Sequence, residues 1–371
     1  MAQQSALHAL SHSLSTSELA AAGAAFPFGK LLTTLLMVAR PASDPRSALV
    51  IDASLLILAA VIGLVPSWFF LSVARFFMGA GAGLGFVCAP VLLTELVPYR
   101  QRPGHFLVLG LAFCASTLIS NLLPIVQSDA YVVVLCTCIF SAVTGAAYIW
   151  LRPGPKNDEA LMGEDETSSP IRLLQSRHRS GRPFVLIAVL MLLNVTIGVP
   201  VILAYSVLLF GEFGANEQQS FTLGIAFPIC QMVVLGLLHH FDSLDRRLLV
   251  VGGYGISVFV QFLLLLTSAY DLLPVEQKSL FMCFWLFVLA VVTAVPCNTA
   301  LCVISEQYTS ATDRLRYGSA GRAVMWLATA VSTSTFMGAS RSYGFTTAFA
   351  PYAGCSLLLL GCLVVLYPRN K

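Results

Sequence analysis

The spacing of charged residues constrains the fold of this chain more than any other feature of its sequence. Only 11% of the residues are charged, and they stand in short clusters between long neutral runs of apolar residues. Each run is near or above the ~20 residues that an α-helix needs to cross the bilayer core. An ordinary soluble domain, in which about 25% of residues are charged, is thereby excluded. The sequence predicts an all-α, polytopic bundle of membrane helices.

Eleven membrane segments are predicted, five before one long polar stretch and six after it. The segments are about 17–39, 47–65, 68–93, 104–126, 130–151, 184–210, 219–240, 248–269, 279–304, 321–340 and 344–367. The polar stretch, 152–183, has an acidic block, then an arginine-rich block, with Pro and Ser, which is typical of a solvated linker. We therefore expect an amino-terminal half, 1–151, and a carboxy-terminal half, 184–371.

The positive residues predict the orientation of the chain in its membrane. If the linker and every second loop face the cytoplasm, 17 of the 21 Lys and Arg residues lie at the cytoplasmic side. The opposite orientation violates the positive-inside bias almost everywhere. The sequence therefore predicts a multi-pass protein of the plasma membrane or an organelle membrane, with a cytoplasmic carboxy terminus.

The stretch 75–102 combines a charged residue with a helix surface that lacks side chains. Arg75 stands inside an apolar run, where an unpaired guanidinium costs roughly 2.5 to 3.5 kcal/mol. It should therefore face the bundle interior or an aqueous cavity. Glycines at alternate positions from Gly79 to Gly85 allow a neighbouring helix to approach closely.

The same stretch carries a family signature. The residues concerned are Phe77, Gly79, Ala80, Gly83, Leu92, Glu95 and Arg102, with Arg75 upstream and Pro90 before the glutamate. This order resembles the fourth-helix signature of sugar porters in the major facilitator superfamily. The loop 242–252 is similar to the D-R-x-G-R-R-x-L-L-x-G loop of that family. The resemblance implies a twelve-helix fold with six helices before the linker, so the first helix of the family is expected to be missing here.

The resemblance weakens at the substrate site. In the stretch that matches the seventh helix of the family, two glutamines are replaced by Asn194 and Val195 and an asparagine by Pro200. The remaining candidates for substrate contact are Asn194, Thr196, Tyr205, Gln231, Asn298 and Trp326. Each sugar hydroxyl left unpaired costs about 1 to 3 kcal/mol, so this set disfavours a hexose and favours a less hydroxylated solute.

Each of these candidates also has a structural interpretation. Gln231 and Asn298 could join helices by hydrogen bonds, Tyr205 could anchor at the interface, and Trp326 could pack. In addition, Pro200, Pro228 and Pro296 are expected to kink or open their helices, because proline lacks an N–H group. The freed carbonyls could then line a cavity.

Charged residues at helix ends form a candidate conformational latch. They are Glu95, Arg102, Asp242, Arg246, Arg247, Glu306 and Arg316, with Arg75 as a candidate coupling residue. Charge-assisted hydrogen bonds that exist only when one side is closed would hold that conformation. Alternatively, these residues only satisfy the positive-inside bias. The two halves echo each other, because Glu95 and Glu306 are each followed by a pair of arginines.

The sequence favours a transporter that moves a small solute by alternating access. In proton-coupled members of the family the arginine matched by Arg75 pairs with a carboxylate on the first helix. Without that helix, Arg75 is left to water, an anionic substrate or Asp52, and facilitative transport is favoured. The alternative is a non-transporting sensor or scaffold.

The remaining expectations concern partners and chemistry. We expect a monomer that contacts the lipid bilayer and a small solute, sugar-like or otherwise polar, and no nucleic acid. We expect neither a cofactor nor a metal, and no enzyme activity, because the six histidines do not group with other catalytic residue types. The ten cysteines lie in apolar segments, which favours packing over disulfides.

Overall fold

The computed structural model describes residues 16–41, 44–65, 67–97, 101–126, 182–239, 245–270, 274–308 and 310–367, with seven separate helical positions between 136 and 150. These residues form twelve α-helices and one π-helical turn, and no strand occurs among them. The predicted all-α fold class is confirmed. The predicted linker lies outside the described residues, as does most of the predicted segment 130–151.

Four of these twelve helices precede the predicted linker, besides the helical positions between 136 and 150. They are α1 (Thr16–Ala39), α2 (Pro45–Gly63), α3 (Trp68–Leu96) and α4 (Arg102–Val126). Asp44 fixes the start of α2, since its carboxylate accepts the backbone N–H groups of Arg46 and Ser47 at 3.0 and 3.2 Å. Proline follows at the first helical position, where its missing N–H and fixed φ suit a helix start.

Eight helices follow the linker. They are α5 (Arg182–Thr196), α6 (Val199–Glu212), α7 (Glu217–His239), α8 (Gly253–Ala269) after a π turn at Leu248–Gly252, α9 (Val275–Val292), α10 (Ala294–Ser305), α11 (Ala311–Tyr343) and α12 (Phe345–Leu366). The predicted segments 184–210 and 279–304 are therefore each divided into two helices.

Seven stretches of the described residues are long and apolar enough to cross a bilayer. They are Pro45–Gly63, Trp68–Leu96, Gly104–Leu122, Glu217–His239, Leu248–Ala269, Val275–Ser305 and Phe345–Leu366. Two shorter apolar helices, Ala25–Ala39 and Arg182–Thr196, accompany them. Helix α11 is not in this set, because Arg314, Arg316 and Arg322 and many small hydroxyl side chains interrupt its apolar residues.

The break between α5 and α6 follows from a glycine and a proline. Gly198 has a φ of +95°, a region that side chains disfavour, and Pro200 stands in the first turn of α6. Because Pro200 has no N–H, the carbonyl of Thr196 is left without its helical donor. Gln261 on α8 supplies one instead, from Nε2 at 2.8 Å. The freed carbonyl therefore joins two helices.

Pro228 has a similar effect without breaking its helix. It lies inside α7, which continues from Glu217 to His239. Its missing N–H frees the carbonyl of Gly224, and Asn121 on α4 donates to that oxygen from Nδ2 at 2.7 Å. Thus α7 is joined to α4 across the two halves. Pro296 lies in the first turn of α10, just after the break between α9 and α10. This break is where the sequence predicts a kink or an opening of the helix.

The glycines of α3 bring it against α1 on one side. A Cβ added at Gly79 would strike the carbonyl oxygen of Phe26, and one added at Gly29 of α1 would strike the carbonyl oxygen of Phe76. Backbone therefore packs against backbone, which only glycine on both helices permits. The contact face predicted from the alternating glycines is present.

The same glycine run also faces α2. A Cβ added at Gly81 would lie 2.8 Å from Oδ1 of Asp52, and one added at Gly85 would lie 2.6 Å from its Oδ2. Residues two apart on a helix point to opposite sides, so the glycine run serves two neighbours. Helices α1, α2 and α3 therefore form a closely packed unit.

The two halves meet most extensively at two pairs of helices. Helix α4 packs against α7, and α1 packs against α11. The carboxy-terminal half has its own large apolar core, in which Leu190, Phe210, Tyr254, Leu289 and Phe336 are almost fully buried. This arrangement leaves a space between the halves, where the candidate site lies.

Candidate functional site

A cavity of about 490 Å³ lies between the two halves. Helices α1, α3 and α4 line it on one side, and α5, α6, α7, α9, α10 and α11 line it on the other. Cavities for small organic ligands are typically about 300 to 1,000 Å³. The space therefore suits a small solute, and both halves contribute to its wall.

The cavity is lined by some, but not all, of the predicted substrate residues. Those that line it are Asn194, Gln231, Asn298 and Trp326. Thr196 and Tyr205 are not part of the lining. The Tyr205 hydroxyl donates to the carbonyl of Thr333 at 2.7 Å, which joins α6 to α11.

Gln231 is committed to contacts between helices. Its Nε2 donates to the carbonyl of Ala290 at 2.6 Å, and its Oε1 accepts from the thiol of Cys114 at 3.3 Å. It therefore joins α7 to α9 and to α4, across the halves.

The two asparagines also have partners. Asn194 accepts from the Tyr254 hydroxyl at 2.8 Å, and Asn298 donates from Nδ2 to the carbonyl of Ala294 at 2.7 Å. Each asparagine therefore has one of its two amide groups engaged within the protein.

Three buried cations line the cavity: Lys30, Arg75 and Arg322, which are 7%, 3% and 3% exposed. The described lining contains no aspartate or glutamate. Among the described residues, no carboxylate lies within 4.0 Å of any of the three cationic groups. Every formal charge among the described lining residues is therefore positive.

Arg75 has hydrogen-bonding capacity that no described residue uses. Its Nε and Nη1 are buried and have no hydrogen-bond partner within the described ranges. Asp52, an alternative partner predicted from the sequence, lies instead against the glycines of α3, and its buried Oδ1 has no described partner either. The structure does not bring these two residues together.

Lys30 is held by aromatic rings. Its Nζ lies 4.4, 4.8 and 4.0 Å from the ring centres of Phe26, Phe86 and Trp326. The guanidinium of Arg322 lies 5.7 Å from the centre of the Phe86 ring. Because Trp326 and Arg322 belong to α11, this cation–π cluster connects α1 and α3 with the other half.

Sequence reasoning missed two of these cations. The site residues predicted from the sequence include neither Lys30 nor Arg322. Both are buried in the cavity wall. The signal that could have identified them is an ionisable residue within an apolar segment, which is a functional hypothesis by default.

A second cluster, of charged residues, lies at one end of the helical bundle. We call this end the Glu306 end. The Glu306 carboxylate is 3% exposed, and its Oε2 accepts from Arg246 Nη1 at 2.5 Å. Its Oε1 lies 3.8 Å from Nη1 of Arg102 at the start of α4. The second contact joins the two halves.

The two halves contribute matching arginines to this end. Arg102 donates from Nε to the carbonyl of Val97 at 3.0 Å, and Arg314 donates from Nε to the carbonyl of Tyr308 at 2.5 Å. Each then reaches across to the other half, Arg102 to Glu306 and Arg314 to the Thr94 hydroxyl at 3.3 Å. The echo predicted from the sequence therefore has a structural counterpart.

Apolar and histidine contacts add to the polar ones. Leu315 of α11 is fully buried in a cluster of the amino-terminal half that includes Met37, Leu84 and Leu92. Nearby, Nδ1 of His239 lies 3.1 Å from the carbonyl oxygen of Gly104. At the Glu306 end the two halves are therefore joined by polar and apolar contacts.

The other predicted latch residues are placed differently. Asp242 lies outside the described residues. Arg316 is exposed, Arg247 is half-buried directly before the π turn and Glu95 is half-buried in the last turn of α3. Arg314, which the latch prediction omitted, contacts Thr94 of the other half. Within the described ranges, no group of three or more His, Cys, Asp or Glu side chains could hold a metal ion.

Solved structures share this arrangement of helices. The proton:xylose symporter XylE bound to 6-bromo-6-deoxy-D-glucose is 17% identical, with a TM-score of 0.78 over 100% of this chain and 92% of that one. The human organic anion transporter MFSD10 is 14% identical, with a TM-score of 0.66 over 97% and 89% of the two chains. The fucose:proton symporter FucP of E. coli is 14% identical, with a TM-score of 0.64 over 99% and 96%. At such identities these similarities establish the fold alone.

The sequence itself matches a family model. No curated protein is similar enough to count as a relative. The model described as Major Facilitator Superfamily matches residues 2–339, which is most of the chain. The chain therefore belongs to the Major Facilitator Superfamily, and it is an integral, multi-pass membrane protein of a non-enzymatic family of small-solute transporters.

Proposed function

We propose that this chain is a facilitative carrier that moves one small polar solute by alternating access. The observation that carries the proposal is a cavity lined by both halves, together with contacts that join those halves at the Glu306 end. If those contacts broke, the cavity would be exposed to that side. The linker 152–183 would then connect two units that move relative to each other, and one monomer would suffice.

The closing contacts are of a kind that can break during a transport cycle. Hydrogen bonds between membrane helices contribute about 0.6 kcal/mol on average and at most about 1.7 kcal/mol. The Arg102–Glu306 and Arg314–Thr94 contacts are long, at 3.8 and 3.3 Å. A few such contacts fit an energy difference of a few kcal/mol between two conformations, which is the range in which a solute can shift the population.

The absence of an acid in the described cavity lining supports facilitative transport. In proton-coupled members of the sugar porter family, the resemblance implies a carboxylate that pairs with the arginine matched by Arg75. The described lining contains cations, amides, hydroxyls and apolar groups instead. By the positive-inside bias, the Glu306 end and the carboxy terminus would face the cytoplasm of a plasma or organelle membrane.

A reversible lock of the Glu306 end tests the proposal. Gly104→Cys and His239→Cys, in a background without native cysteines, place two thiols where His239 Nδ1 now lies 3.1 Å from a Cβ built at residue 104. Proteoliposomes containing the full chain are assayed for counterflow of D-xylose, D-glucose, benzoate and benzamide. We expect at least one probe to move, oxidation to stop it, and reduction to restore it.

Three controls and outcomes complete this experiment. Each single cysteine variant should keep its flux under oxidation. Flux that continues when the double variant is oxidised would contradict alternating access at this end. Binding of a probe without any flux would overturn the carrier proposal in favour of a sensor or scaffold.

A further inference from the structure

We propose that the solute is an organic anion whose charged group is bound by Arg75 and whose apolar part lies against the aromatic residues of the cavity. The inference rests on the proposed function, because it takes the cavity between the halves as the solute site. It also makes use of three residues that the transport cycle itself does not require: Lys30, Arg75 and Arg322.

The first argument is the charge of the cavity. Its described lining contains three cationic side chains and no carboxylate. Each cation at this depth costs free energy unless something compensates it. A cleft lined by charges of one sign, with walls of low dielectric constant, concentrates ions of the opposite sign. A bound anion would therefore supply the compensation that the described protein groups do not.

The second argument is the unused donors. The buried Nε and Nη1 of Arg75 have no hydrogen-bond partner among the described residues, and the same holds for Nε1 of Trp326 and the hydroxyl of Thr329. All three residues line the cavity. Hydrogen bonds from the neutral Trp326 and Thr329 groups to a carboxylate or phosphate oxygen are roughly twice as strong as bonds to a neutral acceptor, and a bond from Arg75 to such an oxygen joins opposite charges. The donor set therefore favours an anion over an alcohol.

The third argument is how Lys30 keeps its place. Aromatic faces attract a cation and hold it where it is, as the rings of Phe26, Phe86 and Trp326 do here. Rings carry no net charge, so the cavity keeps the positive charge that a carboxylate partner would cancel. The three rings therefore hold the Lys30 ammonium group at the cavity wall. Its positive charge is not cancelled and can attract an anion.

The fourth argument concerns the uncharged part of the solute. Phe86 lies 6.3 Å from Phe113 and 5.7 Å from Trp326, in edge-to-face contacts that form an apolar wall. On the polar side, the amide of Gln231 is already bonded to Ala290 and Cys114. A solute with many hydroxyl groups would leave most of them unpaired, whereas one charged group on an apolar body matches both parts of the wall.

The test compares anions with neutral molecules of the same shape. Binding of benzoate, 1-naphthoate and phenyl phosphate to the purified full chain is measured by calorimetry, with benzamide, 1-naphthamide, D-glucose and inorganic phosphate as comparisons. We expect at least one aromatic anion to bind roughly tenfold or more tightly than every comparison, from the strength of hydrogen bonds to charged groups. This preference is a property of the unaltered protein and does not depend on a variant that folds.

Charge-removing variants then assign the preference to the cavity. Arg75→Gln should weaken binding of that anion roughly 10- to 100-fold and leave benzamide binding unchanged within about twofold. Arg316→Gln is the matched control, since it removes the same charge from an exposed position outside the cavity. It should change anion binding less than about twofold.

The outcomes separate this inference from the carrier proposal. If no aromatic anion binds more tightly than its neutral counterpart, or if glucose or benzamide is transported and the anions are not, the anion inference is overturned and the carrier stands. If an anion binds through Arg75 but is not transported, the inference stands and the carrier is overturned. Inorganic phosphate that binds as tightly as 1-naphthoate would overturn the requirement for an organic body.

Discussion

Replacing Asn121 by alanine should show how a proline creates a contact between helices. In an uninterrupted helix the carbonyl of Gly224 would accept from the N–H of residue 228, but residue 228 is proline. Asn121 donates to this buried carbonyl instead, at 2.7 Å. A buried carbonyl left unpaired costs about 1 to 3 kcal/mol, and hydrogen bonds between membrane helices contribute at most about 1.7 kcal/mol. We therefore expect Asn121→Ala to lower the free energy of unfolding by about 1 to 2 kcal/mol.

The explanation is tested by a double-mutant cycle. In a Pro228→Ala background the new N–H can bond the Gly224 carbonyl within α7, so Asn121→Ala should then cost less than about 0.5 kcal/mol. The free energy of unfolding is measured by circular dichroism in mixed micelles of a non-ionic detergent and dodecyl sulfate. Ser116→Ala is the control, since Ser116 also lies on α4 but donates only to its own helix, to Ala112 at 2.9 Å. An equal cost for Asn121→Ala in both backgrounds would refute the reasoning.

Two further substitutions test the packing of α3 and the closure of the Glu306 end. Gly79→Ala should lower the free energy of unfolding by about 1 to 3 kcal/mol, because its methyl group would meet backbone. Gly255→Ala, where no atom lies within 4 Å of the added Cβ, should not lower it, and equal losses would contradict the packing argument. Arg102→Gln should raise the rate at which a water-soluble thiol reagent labels Cys302, which is now 0% exposed, by roughly 3- to 10-fold, the equivalent of one hydrogen bond between helices. The exposed Arg316→Gln should leave that rate unchanged, and equal rates in both variants would count against a latch at Arg102.

The fold was largely predictable because the membrane restricts the choices. In a bilayer, a chain with so few charges must pair its backbone N–H and C=O groups with each other, as helices do. The apolar runs and the polar stretches between them therefore give the order of the helices. The sequence also contained the breaks near Pro200 and Pro296. It could not show that α7 would continue through Pro228, because this depends on a donor from a distant helix, Asn121.

The composition of the site was less predictable than the fold. Lys30 and Arg322 are far apart in the sequence, and only the packing of α1 against α11 brings them to one cavity. Conversely, Gln231 and Tyr205 had the chemistry of substrate contacts, but partners on neighbouring helices use their polar groups. Sequence spacing says which side chains lie along one helix, and it says little about which of their hydrogen bonds are already made.

The glycine run of α3 has a mechanical consequence. At Gly79 the backbone of α3 touches the backbone of α1, so no layer of side chains could shift between these two helices, and at Gly81 and Gly85 only the Asp52 side chain of α2 fills the space. The three helices α1, α2 and α3 should then turn only as a single stiff lever. Any bending would occur in the carboxy-terminal half, where the helices are interrupted at Gly198 and Thr293.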